Sequence, residues 1–335
     1  MNRYAAPHAD PQGAGDARPT ALQIVLDEDL EGNLVGKVMV ITGATSGIGL
    51  EAARALSATG ATLFLTARDV DKARTALTGI LEPGRVSLVE MDNASLASIR
   101  AAATTILAAS QDHVHLLVNN AGVMGIPDLR LTEDGHETHF ATNYLGHFFL
   151  FQLLKPALLA SATPEFSSRV VMVASSAHRS CTLPDSDNYS FQRGGYHYGL
   201  AYATSKLATV YLANQIERRY GDQGLHATSL HPGAINTNAS RHIGSEFVDQ
   251  LMRDENIVKI MKSPEQGAAT TVLAAVGKDW GYTGGKYLED CAEAIRGPDD
   301  NEVFGVGYVR QTYDPREEER LWRDSLAMVG MADDA

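Results

Sequence analysis

The stretch VMVITGATSGIG, residues 38–49, sets the architecture of the chain. Val38–Thr42 is a run of apolar and β-branched residues that predicts a buried strand. The strand leads into a turn in which Gly43 permits a tight bend, Gly47 lets the backbone approach a pyrophosphate, and Gly49 allows close helix–sheet packing. A predicted helix follows at once. Because the amides of a helix N-terminus attract anions, this strand–turn–helix order predicts a dinucleotide-binding site.

Strand and helix signals alternate along most of the chain beyond this turn. Further strands are predicted at Thr62–Thr66, Val86–Met91, His115–Val118, Arg169–Ala174, His226–Leu230 and Lys286–Leu288. Intervening helices are predicted at roughly 70–77, 96–109, 135–159 and 203–220, with Ser95 as the cap of the second of them. The sequence SPEQ at 263–266 resembles a capping box at the start of a further helix. Alternation of this kind predicts an α/β fold, a Rossmann-type doubly wound parallel sheet in a single domain.

We expect the Rossmann-type domain to cover residues 37–310. Residues 1–20 are rich in Ala, Pro, Gly and Asp, which predicts a disordered tail, and 21–36 form an N-terminal extension. Residues 311–335 are predicted to form a C-terminal helix and tail, with Trp322 docking the helix to the domain.

The composition argues against several classes of partner. A net charge of −13 disfavours nucleic acid or an anionic membrane as the main partner. No apolar run is long enough to span a bilayer, and the first residues lack the apolar core of a secretory signal, which together predict a cytoplasmic protein. Cys181 and Cys291 lie far apart and indicate neither a disulfide framework nor a zinc site, so no metal is expected.

The end of the second strand predicts which nicotinamide cofactor the chain binds. An NAD site carries a carboxylate there to hold the ribose 2′-hydroxyl, whereas this chain has Ala67 followed by Arg68. A guanidinium can pair with the 2′-phosphate of NADP, and Ser46 can donate one more hydrogen bond. Asp69 is interpreted as a helix cap. We therefore expect NADP(H).

Two later turns are predicted to touch the same cofactor. Asp92 follows the third strand and either accepts a hydrogen bond from the adenine amino group or is an ordinary loop carboxylate. The sequence NNAG, residues 119–122, follows the fourth strand and suits a sharp turn beside the cofactor ribose.

Tyr202 and Lys206 form the predicted acid–base pair. Their i, i+4 spacing puts both side chains on one helical face. A free tyrosine, with a pKa of about 10, is a poor acid–base group at neutral pH, but a nearby ammonium and oxidised nicotinamide stabilise the phenolate. A hydroxyl of the pair Ser175-Ser176, at the end of the fifth strand, can hydrogen-bond the substrate oxygen. Asn143, in the long helix, is by itself a polar residue on a packed helix.

In combination these motifs resemble the short-chain dehydrogenase/reductase family. The resemblance runs from about Lys37 to Asp290, in the family's order, through TGATSGIG at 42–49, NNAG at 119–122, Asn143, Ser176, Tyr202 with Lys206, and Pro232-Gly233. Within the family the chain is similar to the retinol-dehydrogenase-like and WW-domain-oxidoreductase-like branch, which includes filamentous-fungal reductases. The supporting phrases are TARD at 66–69, TEDG at 132–135, NYLGHF at 143–148 and SSAH at 175–178.

The resemblance implies a role for each matched residue. Tyr202 is the general acid in reduction. Lys206 lowers the pKa of Tyr202 and hydrogen-bonds the nicotinamide ribose. Ser176, the second serine of its pair, steadies the carbonyl oxygen, and Asn143 supports a water that relays protons to Lys206. Pro232, Gly233 and Ile235 flank the nicotinamide carboxamide, and Thr237 donates a hydrogen bond to the cofactor. The full set of expected cofactor-binding residues is Gly43, Thr45, Ser46, Gly47, Ile48, Gly49, Arg68, Asp92, Asn93, Asn119, Ala121, Gly122, Tyr202, Lys206, Pro232, Gly233, Ile235 and Thr237.

The resulting expectation is an NADP(H)-dependent carbonyl reductase or alcohol dehydrogenase in secondary metabolism. Two segments that interrupt the alternation, 181–200 and 238–262, are predicted to be substrate loops, and the aromatic character of the first favours a fairly large apolar ketone, aldehyde or alcohol. One alternative is an epimerase or dehydratase with bound NAD, against which the glycine spacing and Arg68 argue. Another is a non-catalytic nucleotide-sensing protein. The resemblance leaves a homodimer open, because family members occur both as dimers and as single chains.

Overall fold

The structure, a computed structural model, describes residues 3–237, 249 and 252–333. At its centre is an eight-stranded sheet with the strand order β3-β2-β1-β4-β5-β6-β7-β8. The strands are β1 (Val38–Thr42), β2 (Thr62–Ala67), β3 (Val86–Glu90), β4 (Leu116–Asn119), β5 (Ser168–Val173), β6 (Leu225–Leu230), β7 (Lys286–Glu289) and β8 (Ala292–Glu293). The first seven pair in parallel, and β8 pairs antiparallel with β7. The predicted doubly wound parallel sheet is confirmed.

The strand order fixes where a ligand can bind. From β1 the chain moves outward to β2 and β3 on one side, and then returns to β4 on the other side. At such a switch point the connections leave in opposite directions and open a crevice beyond the carboxyl ends of the strands. The crevice here lies beyond β1 and β4.

Helices cover both faces of the sheet. They are α1 (Ala5–Ala9), α2 (Ala21–Asp27), α3 (Gly47–Ser57), α4 (Val70–Ala76), α5 (Leu96–Ser110), α6 (Thr138–Phe140), α7 (Gly146–Ser161), α8 (Tyr198–Tyr220), α9 (Glu255–Ile260), α10 (Pro264–Gly267), α11 (Ala269–Val276) and α12 (Pro315–Met328). One apolar core joins the sheet to α5, α7, α8 and α12, and a second joins it to α2, α3, α4 and α11. Successive residues of β1 enter the two cores in turn, since side chains alternate across a strand.

Local sequence signals set several helix starts as predicted. The side chains of Asp69 and Ser95 accept hydrogen bonds from backbone amides in the first turns of α4 and α5. Ser263 forms a capping box with Gln266 at the start of α10. These three predictions are confirmed, because a cap depends only on residues within one helical turn.

The long helix predicted over roughly 135–159 has a different internal structure. It begins with α6, passes through a π-helical turn at Ala141–Leu145, and continues as α7. Asn143 lies in this wider turn, a feature that often marks functional sites. The next long helix, α8, begins at Tyr198 rather than at the predicted Ala203.

Residues 3–20 differ from the disordered tail predicted for residues 1–20. They include α1 and pack against the domain, with Tyr4 and Arg18 buried. The Tyr4 hydroxyl donates a hydrogen bond to Asp27 over 3.0 Å. Composition missed this order because polar contacts to distant residues, and not a large apolar content, hold the segment in place.

The C-terminal helix α12 packs on α8 and closes the first apolar core. Trp322 and Leu321 are buried within that core, as predicted. The Tyr144 hydroxyl and the Ser325 hydroxyl lie 2.6 Å apart and join α12 to the π-helical turn. None of the helices in the described part of the chain combines the length and apolar character needed to cross a membrane.

Candidate active site

A cavity of about 760 Å³ opens in the crevice beyond the carboxyl ends of the strands. Residues of every predicted motif except Asn143 line it, although these motifs are spread over almost 200 residues of sequence. The predicted site residues in its wall are Gly43, Thr45, Ser46, Gly47, Ile48, Gly49, Arg68, Asp92, Asn93, Ala121, Gly122, Ser176, Tyr202, Lys206, Pro232, Gly233, Ile235 and Thr237. Asn119 and Asn143 are absent from that wall.

Two glycines allow the backbone to fold tightly at one end of the cavity. Gly43 has a φ of +67°, and a Cβ there would lie 2.8 Å from the Cα of Ala121. A Cβ on Gly49 would lie 2.3 Å from the carbonyl oxygen of Gly43. Real side chains cannot occupy either space, so the turn and the first turn of α3 can approach each other only with glycine at both positions.

A buried polar network supports this turn from below. The Thr42 hydroxyl accepts hydrogen bonds from the backbone amides of Asn120 (2.9 Å) and Ala121 (3.0 Å) and contacts Nε2 of His147. Nδ1 of the same histidine lies 2.9 Å from the carbonyl oxygen of Asn143. Burial lowers the pKa of His147 to about 3, so the ring is neutral and can donate from one nitrogen while accepting at the other. The network ties the turns after β1 and β4 to the π-helical turn.

The predicted cofactor contact Asn119 faces away from the cavity. Its side chain is buried and donates a hydrogen bond to the sulfur of Met172. The neighbouring Asn120 lines the cavity, and its amide donates to the carbonyl oxygens of Thr42 and Gly43. Adjacent residues at the end of a strand point to opposite sides, and the repeated Asn-Asn sequence does not show which one faces the ligand.

Tyr202 is the central polar side chain of the cavity. Its burial raises its pKa, and a hydrogen bond with the Ser175 side chain opposes that rise. The tyrosine is therefore protonated in this state and can donate a proton. Its ring contacts His139 edge-on, with the ring centroids 6.4 Å apart.

Of the two neighbouring serines, Ser175 is the one whose side chain acts on Tyr202 and opposes the rise of its pKa. The predicted Ser176 also lines the cavity, and the Ser175 hydroxyl accepts a hydrogen bond from the amide of Ala177 over 3.1 Å. Ser176 is buried, and its backbone amide donates to Nδ1 of His231. The reason is local: β5 ends at Val173, and Ser175 caps the 3₁₀ turn that follows.

Lys206 lies one helical turn after Tyr202 and is buried, whereas Tyr202 itself is half-buried. Its ammonium donates a hydrogen bond to the carbonyl oxygen of Val173 over 2.8 Å and lies 5.8 Å from the centroid of the Tyr202 ring. Burial lowers the pKa of Lys206 to about 8. The spacing predicted from the sequence thus brings both groups into one desolvated site.

Asn143 lies behind the cavity wall. Its side chain accepts from the backbone amide of Val123 (2.8 Å) and donates to the carbonyl of the same residue and to the hydroxyl of Ser205. A Cβ on Gly122 would lie 3.2 Å from the Asn143 side-chain oxygen and 3.7 Å from the Lys206 ammonium nitrogen. Asn143 therefore fixes the backbone of Val123, and the adjacent Gly122 lies between the Asn143 side chain and Lys206.

The end of β2 presents Arg68 to the cavity. Arg68 is exposed and lines the cavity, whereas the carboxylate of Asp69 accepts a hydrogen bond from the amide of Lys72. Beyond β3, the carboxylate of Asp92 accepts from the amide of Ala94. The predicted role of Asp69 as a helix cap is confirmed, and no carboxylate next to Arg68 is free to face the cavity.

These residues fit a nicotinamide dinucleotide. The start of α3 faces the cavity, and the Ser46 side chain is not used to cap that helix. The segment from Pro232 to Thr237 also lines the cavity, and a Cβ on Gly47 would lie 3.1 Å from the Thr237 side chain. A helix N-terminus that faces a cavity suits a pyrophosphate, because its first amides and its dipole attract anions.

Part of the cavity wall is apolar, and most of it belongs to the two predicted substrate loops. Tyr198, Leu200, Met252, Val303 and Phe304 line the cavity and are also substantially exposed. Met124, Ile257 and Met261 line it as well, and sequence reasoning missed only Met124, Val303 and Phe304 among these apolar residues. No periodic pattern singles out 303–304, because these residues belong to a loop whose position depends on distant contacts.

The two predicted substrate loops contribute unequally. In 181–200 only the end, His197 to Leu200, lines the cavity, while Tyr189 and Phe191 are buried in the body. Of 238–262, residues 252, 257 and 261 line the cavity. Residues 238–248, 250 and 251 lie outside the described residues.

Comparison with known proteins places the chain among oxidoreductases. A family profile described as short chain dehydrogenase matches residues 37–248. The chain is 45% identical over 331 residues to the short-chain dehydrogenase/reductase prx1 of Penicillium roqueforti, covering 99% of this chain and 96% of the relative. It is 35% identical over 301 residues to human retinol dehydrogenase 12, with 89% and 88% covered. A solved RhlG/NADP active-site complex from Pseudomonas aeruginosa matches with a TM-score of 0.62 and 25% identity, over 77% of this chain and 96% of that one.

Proposed function

The chain belongs to the short-chain dehydrogenase/reductase family, with retinol-dehydrogenase-like and fungal relatives, and from this premise we propose a specific reaction for it. The proposed enzyme is an NADP(H)-dependent carbonyl reductase or alcohol dehydrogenase. It transfers a hydride between nicotinamide and a fairly large, apolar ketone, aldehyde or alcohol, in secondary metabolism.

One observation carries this proposal. Tyr202, Ser175 and Lys206 meet in a cavity that also contains the glycine turn at one end and an apolar wall at the other. An acid–base group between a cofactor cradle and an apolar pocket is the arrangement that carbonyl reduction requires. A nucleotide-sensing protein would have no need of the tyrosine–serine pair.

The proposed cofactor follows from the charges at the end of β2. The exposed guanidinium of Arg68 is free to pair with a 2′-phosphate, since the neighbouring carboxylate of Asp69 is engaged with Lys72. The solved RhlG/NADP complex from Pseudomonas aeruginosa, which this chain resembles, contains NADP. The same charges argue against the epimerase or dehydratase alternative with bound NAD.

In the proposed reaction the chain's own residues position the carbonyl and deliver a proton. The hydroxyls of Ser175 and Tyr202 both donate hydrogen bonds to the substrate oxygen, which polarises the carbonyl. NADPH supplies the hydride when bound. As negative charge develops on the oxygen, Tyr202 transfers its proton to it, and the Lys206 ammonium stabilises the phenolate that remains.

The apolar end supports the proposed substrate class. Leu200, Met252, Ile257, Met261 and Phe304 would surround the part of the substrate remote from the carbonyl. Burial of apolar substrate surface there stabilises binding by about 25 cal/mol per Å². Small carbonyl compounds would leave most of this surface in water, and a correspondingly high KM is expected for them.

The test is oxidation of NADPH and of NADH in the presence of a panel of bulky and small ketones and aldehydes, with Tyr202→Phe as the comparison variant. We expect turnover with NADPH that favours bulky apolar carbonyls. Tyr202→Phe should lower kcat by roughly 10²–10⁴-fold, because it removes the proton donor but keeps the ring.

Three results would count against the proposal. A preference for NADH would overturn the cofactor assignment. A preference for small polar carbonyls would overturn the substrate class. Full activity of Tyr202→Phe would overturn the role of the tyrosine.

A further inference from the structure

Residues 13–18, near the N-terminus, contact one segment of the cavity wall on the side that faces away from the cavity. That segment, residues 255–262, is here called the return segment. The Gly13 amide donates a hydrogen bond to the carbonyl oxygen of Lys259 over 2.9 Å. The Arg18 guanidinium donates to the carbonyl oxygen of Ile260 over 2.9 Å and to that of Met261.

Arg18 is held rigidly for this contact. Its side chain is almost fully buried, and its Nε pairs with the carboxylate of Asp16 over 2.8 Å. The Gln266 amide donates to Asp16 and to the carbonyl oxygen of Arg18, and its oxygen accepts from the amide of Gly15. A buried guanidinium whose N–H groups are hydrogen-bonded is held in one orientation. It therefore fixes the positions of the backbone carbonyl groups that it binds.

The return segment depends on these contacts because it has little apolar burial of its own. No residue of its helix, α9, is buried. On the cavity side, the Lys262 amide donates to the carbonyl oxygen of Ala234 over 2.8 Å. Ile257 and Met261 project from the same segment into the cavity. The segment is thus one layer of chain between the N-terminal residues and the substrate.

We infer that Arg18 is a positioning residue for substrate binding. It acts through the return segment and sets the positions of Ile257 and Met261 against the apolar part of the substrate. The inference rests on the proposed function, since it assigns that end of the cavity to the substrate. Residues 13–18 would thus contribute to substrate specificity, although they lie outside the residues 37–248 that match the family profile.

The experiment compares Arg18→Ala, Arg18→Lys and the control Arg3→Ala in the full chain. Arg3 also belongs to the N-terminal segment, but it binds Asp27 and, within the part of the chain that the structure describes, does not contact the return segment. Loss of Arg18 should raise the KM for a bulky carbonyl by about tenfold, the loss expected for a charge-assisted hydrogen bond. The kcat and the Kd for NADPH should stay within about twofold of the unchanged protein.

Arg18→Lys should recover only part of the KM, because an ammonium keeps the charge but cannot span two carbonyls and Asp16 together. Arg3→Ala should match the unchanged protein. If Arg18→Ala leaves KM unaltered, or lowers kcat and NADPH binding as much as substrate binding, the inference is wrong.

A second measurement does not need a substrate. Trypsin cleavage after Lys259, followed by mass spectrometry, reports how firmly the return segment is held. Cleavage should be faster in Arg18→Ala than in Arg3→Ala, and equal rates would overturn the inference. If no carbonyl compound is turned over by the unchanged protein, the proposed function fails, while the cleavage result still decides whether Arg18 holds the segment.

Discussion

The two ends of the cavity are built by different means. The cofactor end consists of short turns at the ends of strands, and contacts such as Gly49 against Gly43 join residues close in sequence. The substrate end consists of segments far apart in sequence, around residues 198–200, 252–261 and 303–304. The first end is therefore marked by local spacing in the sequence, although the Thr42 hydroxyl joins its turns after β1 and β4. The second end depends on side chains that connect segments distant in sequence.

Two buried arginines make many of these contacts between segments that are distant in sequence. Arg18 fixes the return segment, and Arg179 does the same for the loop that carries Val303 and Phe304. The fully buried Arg179 guanidinium donates to the carbonyl oxygens of residues 298, 302, 306 and 307 and pairs with Asp300 over 2.8 Å. An arginine can bind several carbonyls at once, so a single side chain can shape a loop with little apolar content.

The largest expected effect is at Ser175, the serine that we propose as catalytic, which lies between the two ends of the cavity. Ser175→Ala should lower kcat by roughly 100-fold, because it removes a donor to the developing oxyanion. The matched variant Ser176→Ala should stay within a few-fold of the unchanged protein. Steady-state kinetics with one bulky carbonyl decides between them. The reverse order of effects would restore Ser176 as the catalytic serine.

The next effect concerns the substrate end alone. Arg179→Met should lower the free energy of unfolding by about 2 kcal/mol, because backbone carbonyls lose their buried donor. It should also raise the KM for the carbonyl substrate, while the Kd for NADPH is unchanged. The control is Arg193→Met, since Arg193 forms an exposed pair with Asp187. Urea unfolding and kinetics measure both changes, and weakened NADPH binding would show that the two ends are not independent.

A smaller effect is expected at the cofactor end. Arg68→Ala should weaken NADPH binding by about tenfold and leave NADH binding almost unchanged, because only NADPH carries the 2′-phosphate. Arg74→Ala, in the last turn of α4, provides a charge-matched control. Fluorescence titration with each nucleotide measures the difference. An equal loss for both nucleotides would mean that Arg68 does not distinguish them.

The smallest effect is a change in pH dependence. Burial lowers the pKa of Lys206 to about 8, so raising the pH through that value removes the ammonium that stabilises the Tyr202 phenolate. The kcat/KM for carbonyl reduction should therefore fall as the pH rises above about 8. Lys206→Arg should move the fall to higher pH, because a guanidinium stays charged. A profile that remains flat above that pKa would contradict the assignment.

Much of the fold could be predicted because its signals are local. β1 was predicted at its observed bounds, and the caps at Asp69, Ser95 and Ser263 were predicted correctly. The start of α8 was predicted too late because the cap of the true start, His197, lies within a polar aromatic loop. The π-helical turn at Asn143 was not predicted, since it depends on contacts with Val123 and Ser205.

The sequence by itself determined the sheet, the glycine turn and the Tyr202–Lys206 pair, because each depends on a fixed spacing within one strand, turn or helix. Only the tertiary structure decided that Asn120 faces the cavity and that Ser175 pairs with the tyrosine, since a strand end can direct either neighbour inward. It alone also brought the N-terminal segment and residues 303–304 to the substrate end. Hydrogen bonds from buried arginines to backbone carbonyls cause that placement, and a carbonyl acceptor is present on every residue, so no sequence pattern marks which ones are used.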